Sequence, residues 1–298
     1  MVKNLSRVYS AELEGIDAKL IEVEVDINIG LHSFNIVGLA DKATSEAKER
    51  VSSALKNSGV KPPARENRKI TVNLAPADIK KTGSQYDLAI AIGYLLATGQ
   101  IKEFDASDKL FAGELSLDGC LRHISGVLNI AKMAKKSGFK YLFLPERNAA
   151  QAALIKDLKV IPVKNIEDLI LHLEGRKLID FQPQTEFIPG HNQSIVDISE
   201  IKGQENAKRA LIVAAAGGHH FLMSGTPGAG KTMMAQAMLS ILPPPLPEEA
   251  MEITQIWSAA NLLGENHIVN FRPFRAPHHT ASPISIIGGG FDPKPGEI

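Results

Sequence analysis

The segment 225–232 constrains this chain more than any other part of it. Its sequence, Gly-Thr-Pro-Gly-Ala-Gly-Lys-Thr, fits the pattern G-x-x-x-x-G-K-[S/T] of a phosphate-binding loop. The apolar run 219–224 predicts a short buried strand before the loop, and 232–242 predicts a helix after it. A strand, a glycine turn and a helix N-terminus direct backbone N–H groups and positive partial charge at a phosphate. The segment therefore predicts a nucleotide-binding α/β unit.

Each residue of this loop is a candidate ligand contact. The lysine is expected at the β- and γ-phosphates, and the final threonine hydroxyl is the expected Mg²⁺ ligand, so ATP and Mg²⁺ are the predicted cofactors. The plainer alternative is a flexible Gly/Pro loop with an ordinary surface lysine, which the flanking strand and helix patterns disfavour. The candidates are Gly225, Thr226, Pro227, Gly228, Ala229, Gly230, Lys231 and Thr232, of which Thr232 is also the metal candidate.

A second acidic strand, which hydrolysis requires to hold Mg²⁺ and orient water, is missing from the pattern. No apolar run ending in an acidic pair follows Lys231, and the nearest look-alike, 141–146, lies upstream with Pro145 in place of the aspartate. The sequence ends at 296–298 without a helix cap or a polar tail, as a chain cut inside a domain would. We therefore expect weak nucleotide binding, negligible turnover, no catalytic residue here, and faster proteolysis of 196–298 than of 1–175.

Composition sets broad limits on the class of protein. A chain of 298 residues with 44% apolar residues predicts about two domains with packed cores. Basic and acidic residues balance at 33 each, so the whole chain has no net field that favours nucleic acid. The single cysteine, Cys120, excludes an internal disulfide and fits a reducing cytosol. No apolar run approaches the roughly 20 residues of a membrane span, and no signal peptide is present, so we expect a soluble cytoplasmic protein without a membrane partner.

Periodicity divides the chain into two domains and a linker. Residues 1–175 predict an α+β domain, 176–195 a Pro/Gly-marked linker, and 196–298 the nucleotide-binding domain, in which 205–216 precedes the loop as a helix. Within the first domain we predict strands in 5–38, then a helix from Asp41 to about Asn57 that ends at Gly59. A strand over 69–74 and a helix from Asp87 to Ala97 follow. We then predict a hairpin over 110–117 that turns at 118–119, and alternating helices and strands over 124–173.

A family resemblance enters at Ile201-Lys202-Gly203-Gln204, which, followed by a helix and the phosphate loop, resembles the start of an AAA+ module. That resemblance implies that the backbone near Ile201 lies against the adenine. Downstream, 272–282, 288–290 and 295–298 resemble the Mg-chelatase-like AAA+ ATPases of the ComM (YifB) type. In that family the acidic Walker B strand would come next, at the point where this chain ends.

The same resemblance covers the N-terminal domain. Family members carry a Lon-protease-like domain of the ribosomal S5 domain 2-like fold, and 80–89 and 113–119 resemble two Lon signature regions. The implied fold class is α+β, with this domain followed by the first part of a P-loop AAA+ α/β domain. A Lon site needs a serine nucleophile and a lysine base, but these positions fall on Gln85 and Leu128, with Ser84 beside the first. We therefore expect an interaction domain without peptidase activity.

Several weaker signals stay open. Adjacent histidines seldom supply two ligands to one ion, so His219-His220 and His278-His279 predict a metal site only weakly. The resemblance instead implies a loop near nucleotide or DNA, while a solvated surface loop is the alternative; its residues are Arg272, Arg275, His278 and His279. Gly288–Gly290 fit a mobile pore loop or a turn equally well. A basic set fits phosphate contacts less well than a solvated face, because no aromatic residue lies among its members Lys61, Arg65, Arg68, Lys69, Lys80 and Lys81.

Three function classes follow. The resemblance implies an ATP-driven motor that assembles into a ring, expected to be a hexamer, and acts on DNA as a helicase or branch-migration enzyme in natural transformation or recombination. The alternative is a magnesium-chelatase-type ATPase subunit that drives metal insertion into a tetrapyrrole, which the Lon-like leading domain disfavours. An ATP-dependent protease is a third class, disfavoured by Gln85 and Leu128.

Overall fold

The computed structural model describes residues 5–63, 67–190, 192, 196–264, 266–290 and 294–297. Arg65 of the basic set and Ile298 lie outside the described residues. Within these ranges the chain is a mixed α+β protein whose main sheet is mostly parallel. No helix of the described part is long and apolar enough to cross a bilayer.

The strands of the first half of the molecule, residues 5–175, vary from 2 to 13 residues in length, and helices separate some of them along the chain. They are β1 (Leu5–Glu14), β2 (Asp17–Ile29), β3 (Ser33–Val37), β4 (Arg68–Ala75), β5 (Lys109–Phe111), β6 (Glu114–Leu115), β7 (Leu121–Arg122), β8 (Tyr141–Pro145) and β9 (Lys159–Val163). Among the described residues, seven of them form one sheet of order β3-β4-β2-β1-β5-β8-β9. The pairs β1–β2 and β2–β4 are antiparallel, and the other neighbours run parallel.

Strand β2 shows why this sheet forms. Ile21, Val23, Val25 and Ile27 are buried on one face, while the residues between them are less buried, as the period-two pattern predicted. The buried face packs under α3 (Asp87–Ala97), whose residues are all buried apart from Leu96 and whose bounds match the prediction. The strands predicted in 5–38 and over 69–74 and the helix predicted from Asp87 to Ala97 are therefore confirmed.

The remaining helices of this half are α1 (Lys42–Ser45), α2 (Ala47–Asn57), α4 (Val127–Lys136), α5 (Glu146–Ala152) and α6 (Ile166–Leu173). The single helix predicted from Asp41 to Asn57 is interrupted at Glu46. Asp41 caps α1, as predicted, by accepting a hydrogen bond from Thr44 N at 2.7 Å. The Thr44 hydroxyl in turn donates to the carbonyl oxygen of Gly83 at 3.0 Å, a tertiary bond that joins α1 to the loop before α3. Gly59 follows α2 at φ 77°, the predicted left-handed end.

The hairpin predicted over 110–117 is wrong in part. The segment Lys109–Phe111 joins the main sheet between β1 and β8, and Glu114–Leu115 pairs with Leu121–Arg122. The division occurs at Gly113, whose N–H donates to Gln85 O at 2.9 Å and whose carbonyl accepts from Leu88 N at 3.1 Å. These bonds to the start of α3 turn the chain out of the main sheet, a constraint that local patterning does not contain.

The second half contains α7 (Glu205–Gly217), α8 (Lys231–Ile241), α9 (Pro247–Ala259), α10 (Pro283–Ile287), β10 (Gly288–Gly289) and β11 (Lys294–Pro295). The helices predicted before and after the phosphate loop are confirmed as α7 and α8. Their shared core is small and consists of Ile201, Leu211, Met234 and Ala237. Helix α9 was not predicted, although Pro247 followed by two glutamates is a helix-start signal.

The buried strand predicted over 219–224 is wrong. These residues are irregular, and Leu222 is 94% exposed. A β-strand exists through hydrogen bonds to a neighbouring strand, and no strand within the described residues pairs with this segment. An apolar run predicts burial in a sheet without supplying the partner strand.

The predicted linker has no secondary structure over 176–190, but it does not run free in solvent. Gln182 N donates to Val160 O at 2.9 Å, and Thr185 N donates to Ala153 O at 3.1 Å, which hold it along the first half. Gly190 N then donates to Asn270 O at 3.0 Å in the second half. The segment therefore contacts both halves of the molecule.

Candidate nucleotide-binding site

The phosphate-loop segment forms a turn that enters α8 directly. Gly228 and Gly230 have φ angles of 79° and 80°, in the left-handed region that glycine adopts without a steric penalty. Ala229 N donates to Thr226 O at 3.3 Å within the turn, and Gly230 is the residue that precedes the first turn of α8. Two glycines with this backbone direction leave the loop open to solvent at the helix N-terminus, which is the arrangement an anion site requires.

Lys231 and Thr232 occupy the first two positions of α8. The Lys231 ammonium group donates to the carbonyl oxygens of Gly225 at 3.0 Å and Thr226 at 2.8 Å, so its positive charge lies against the loop and not out in solvent. Thr232 is exposed beside it. The structure thus brings the predicted phosphate-binding charge and the predicted Mg²⁺ ligand together at one helix end.

Helix α8 is held by apolar contacts on its inner face. Met234 and Ala237 are buried against Leu211 of α7 and against Ile201, which is 3% exposed. Ile201 thus lies in the core that supports the loop-bearing helix. Its predicted contact with adenine through backbone atoms stays a prediction.

Arg272 lies at the opposite end of α8 from the phosphate loop. Its Nε donates to Pro243 O at 2.8 Å, and its Nη2 donates to Glu249 Oε2 at 2.8 Å. Its backbone N–H donates to Asn192 Oδ1, and the Asn192 amide donates to Leu242 O at 2.7 Å. Because an 11-residue helix is about 16 Å long, the structure does not bring Arg272 to the loop. Arg272 instead connects the C-terminal end of α8 to the N-terminus of α9.

The other residues of the downstream block are solvent-facing. Arg275 forms an ion pair with Glu297. His278 and His279 are exposed, with ring centroids 4.2 Å apart, and His278 Nδ1 is 2.7 Å from the Thr280 hydroxyl. No group of three or more His, Cys, Asp or Glu within the described ranges is placed to hold a metal ion. Gly288–Gly289 pairs with Lys294–Pro295 in a short antiparallel ladder.

One member of the basic set does not belong to a solvated face. The Lys81 side chain is fully buried and donates through Nζ to Pro76 O. Burial lowers the pKa of its ammonium group. Lys81 is therefore unavailable to a phosphate backbone, and its inclusion in a surface set was wrong because sequence proximity to Lys80 does not fix side-chain direction.

A cleft of about 300 Å³ in the first half is lined by Gln85, the position expected for a Lon nucleophile, and by Ser84, but not by Leu128, the position expected for the base. Gln85 Nε2 donates to Glu12 Oε2 at 3.0 Å and to Thr82 O at 2.8 Å. The Ser84 hydroxyl donates to Glu114. Leu128 is fully buried. Glu12, only 2% exposed, also accepts hydrogen bonds from the Thr82 hydroxyl and Tyr86.

Sequence reasoning missed Glu12. The signal was present, because a charged residue in the buried register of Val8 and Ser10 on β1 needs polar partners within the fold. It also missed the role of Arg272 as a clamp between helices, for which the sequence offers no local signal.

Comparison with known families defines the class of protein. Residues 23–148 match the model for subunit ChlI of Mg-chelatase, and residues 197–298 match the model for magnesium chelatase, subunit ChlI. The chain belongs to the Mg-chelatase-like family of the ComM type, as its motifs indicated.

Three proteins similar to this chain narrow the comparison. It is 39% identical over 298 residues to competence protein ComM of Haemophilus influenzae, covering 99% of this chain and 58% of that protein. It is 39% identical over 295 residues to the uncharacterized protein YifB of Escherichia coli, covering 99% and 57%. A more distant match, 29% identical over 170 residues, joins 51% of this chain to 29% of Lon protease 2 of Bacillus subtilis. The chain thus spans somewhat more than half the length of its ComM and YifB relatives.

Proposed function

We propose that this chain is the nucleotide-binding part of a ring-forming AAA+ ATPase that acts on DNA, as a helicase or branch-migration motor in natural transformation or recombination. The observation that carries the proposal is the loop 225–232, in which two left-handed glycines, a helix N-terminus and the Lys231 charge converge. The similarity to competence protein ComM supports a role with DNA. A hexameric ring and a cytoplasmic location are parts of the same proposal.

ATP and Mg²⁺ suit the residues present at this loop. Lys231 supplies the positive charge for the β- and γ-phosphates, α8 begins directly after the loop, and Thr232 supplies a hydroxyl of the kind Mg²⁺ accepts. When bound, Mg-ATP provides the phosphoanhydride bond whose cleavage would drive the motor. The residues of this chain bind and orient the phosphates.

The domain architecture is proposed on the same basis. The mixed sheet with its covering helices, together with the match to Lon protease 2, supports a Lon-like domain of the ribosomal S5 domain 2-like fold over about 1–175. Helices α7 and α8 and the loop between them support the start of a P-loop AAA+ α/β domain over 196–298. With Gln85 and Leu128 at the nucleophile and base positions, the first domain acts as an interaction domain.

A chelatase-type ATPase subunit is the second candidate, because both matching family models carry that name. The deciding experiment is the ATPase rate of the longer protein in the presence of DNA, of metal with a tetrapyrrole and the other chelatase subunits, or of an unfolded protein. The proposal expects stimulation by DNA that disappears in Lys231→Ala. Stimulation by chelatase components alone, or by unfolded protein alone, would replace the DNA motor with one of the other two classes.

A further inference from the structure

Helix α9 contacts the first half of the molecule through buried hydrogen bonds near its C-terminal end. Gly126 N donates to Ser258 O at 3.0 Å, and Gln151 Nε2 donates to the Ser258 hydroxyl at 2.8 Å. Ser258 is 3% exposed and Gln151 is 5% exposed. Buried polar groups of this kind are costly to separate, so the contact fixes α9 against α4 and α5.

The opposite end of α9 is fixed to the loop-bearing helix. Glu249, in its first turn, accepts from Leu246 N at 2.8 Å and from Arg272 Nη2. These two donors hold the pKa of Glu249 below its usual range, so it stays charged at neutral pH. Arg272 also binds Pro243 O, just beyond the end of α8. A displacement of α8 therefore reaches α9 through Arg272.

Helix α9 is continuous between its two ends and buries one face along its length. Ala250, Thr254 and Ser258 form a single buried stripe with a spacing of four residues. The Thr254 hydroxyl donates to Ala250 O at 2.6 Å and accepts from Val269 N at 2.9 Å, which ties the middle of the helix to the chain that leads to Arg272. Its 13 residues span about 20 Å.

The segment 123–126 lies between the contact with α9 and the cleft of the first half. His123, Ile124 and Ser125 line the cleft that contains Gln85 and Glu114, and they also line the small space beside Ser258 on the other side. Ile124 is held through both backbone polar groups by the Asn148 side chain, each at 3.0 Å. Residues 123–125 therefore contact both the cleft and the space beside Ser258, so a displacement of Ser258 would displace one wall of the cleft.

We propose that α9 couples nucleotide binding at 225–232 to the cleft lined by Gln85, Glu114 and His123, with Arg272 and Ser258 as its two points of attachment. The proposal rests on the proposed nucleotide binding. The new element is that the cleft of the first half changes when nucleotide binds to 225–232. Coupling between sites is reciprocal, so if the nucleotide alters the cleft, a group bound in the cleft must alter nucleotide affinity by the same factor.

The test measures the Kd for a fluorescent ATP analogue in this chain and its variants. Arg272→Ala removes the side-chain bonds of one attachment. The paired variant Gln151→Leu/Ser258→Ala removes the side-chain bond of the other, with neither partner left buried alone, and keeps the backbone bond from Gly126 N to Ser258 O. We expect each to raise the Kd about threefold or more, within the range known for residues that carry coupling. Combining them should add little, because both act through α9. Ser137→Ala, on the exposed C-terminal end of α4, is the control and should leave the Kd unchanged.

Amide hydrogen exchange is the second measurement. It distinguishes a failure of the proposed coupling from a failure of nucleotide binding itself. Saturating analogue should change exchange over 121–130 in the wild type and leave it unchanged in Gln151→Leu/Ser258→Ala, with each variant shown to be folded by its thermal transition. If the wild type binds the analogue but exchange over 121–130 and the Kd of both variants stay the same, α9 does not couple the two places. If the wild type binds no nucleotide, the proposed function fails and the coupling fails with it.

Discussion

Arg50 and Asp87 form a two-pronged ion pair that joins α2 to α3. Arg50 Nε lies 2.6 Å from Asp87 Oδ2, and its Nη2 lies 2.9 Å from Oδ1. The Asp87 side chain is fully buried, and Oδ2 also accepts from Leu115 N at 3.1 Å. One carboxylate thus joins the start of α3, the first turn of α2 and strand β6.

Replacement of Arg50 by methionine should destabilise the protein in a pH-dependent way. Burial raises the pKa of Asp87 to about 6 from an ordinary value of 3.8, even though Arg50 opposes the rise. A folded-state pKa above the unfolded one means that stability falls as pH rises through about 4 to 6. Without Arg50 the pKa rises further, so the loss in Arg50→Met should be about 3–5 kcal/mol at pH 8 and smaller at pH 5.

Urea unfolding at the two pH values measures this difference. Arg7→Met is the matched control, because Arg7 bonds Glu22 and Glu24 on an exposed surface and its loss should change the stability little at either pH. A penalty for Arg50→Met that grew toward pH 5 would show that Asp87 is not the titrating group.

Gly126→Ala should be more destabilising than Gly138→Ala. Gly126 has φ 69°, and a Cβ there would lie 2.2 Å from Leu13 Cδ1, inside van der Waals contact. Gly138, at the other end of α4, has φ 85° with open space around it, so Gly138→Ala isolates the backbone cost of about 1 kcal/mol. Gly126→Ala should cost about 1–3 kcal/mol more because of the clash. Equal thermal transitions for the two variants would contradict this account.

The sequence predicted most helices because their signals are local. The apolar run of α3 and the cap at Asp41 lie within their own segments, so the bounds follow from periodicity and side-chain chemistry. The wrong predictions concern segments whose structure depends on residues far away in the sequence. The break at Gly113 depends on the start of α3, and the irregular backbone around Leu222 depends on a neighbouring strand.

In the candidate site, too, local features were predicted and features that depend on distant residues were not. The loop 225–232 was predicted from local signals, because its glycines, lysine and threonine lie within one eight-residue pattern and the helix follows directly, and its role as a phosphate site stays a prediction. The burial of Lys81 and the position of Arg272 depend on tertiary contacts with Pro76, Pro243 and Glu249, which no spacing encodes.

The cleft of the first half should show no peptidase activity. Gln85 has no nucleophilic atom of the kind required, Leu128 has no base, and the Ser84 hydroxyl is held by Glu114. Incubation of the protein with casein or labelled peptides should give no cleavage above the blank. Turnover that disappeared in Ser84→Ala would show that the nucleophile position is Ser84 and that our alignment is off by one residue.

Thr232→Ala should weaken the Mg²⁺-dependent part of nucleotide binding. The hydroxyl is exposed at the second position of α8 and is the expected ligand of the ion. Loss of such a group should reduce affinity for Mg-ATP by about tenfold or more, and affinity measured with EDTA should change little. Thr232→Ser keeps the hydroxyl and should restore binding. A Thr232→Ala variant with wild-type Mg²⁺ dependence would remove Thr232 from the site.

Lys231→Ala should remove most of the nucleotide affinity while leaving the fold intact. The Lys231 ammonium group already lies against the loop carbonyls of Gly225 and Thr226, so the charge is placed where the phosphates of a nucleotide would need it. Hydrogen bonds to charged groups contribute about 1.5–3 kcal/mol, which corresponds to a loss of about 10- to 100-fold in affinity. Titration with a fluorescent ATP analogue measures this loss, with Lys136→Ala, an exposed lysine of α4, as the control. Because the Lys231 side chain makes its two bonds to exposed backbone, the thermal transition should move little, and equal affinities in wild type and Lys231→Ala would exclude 225–232 as the phosphate site.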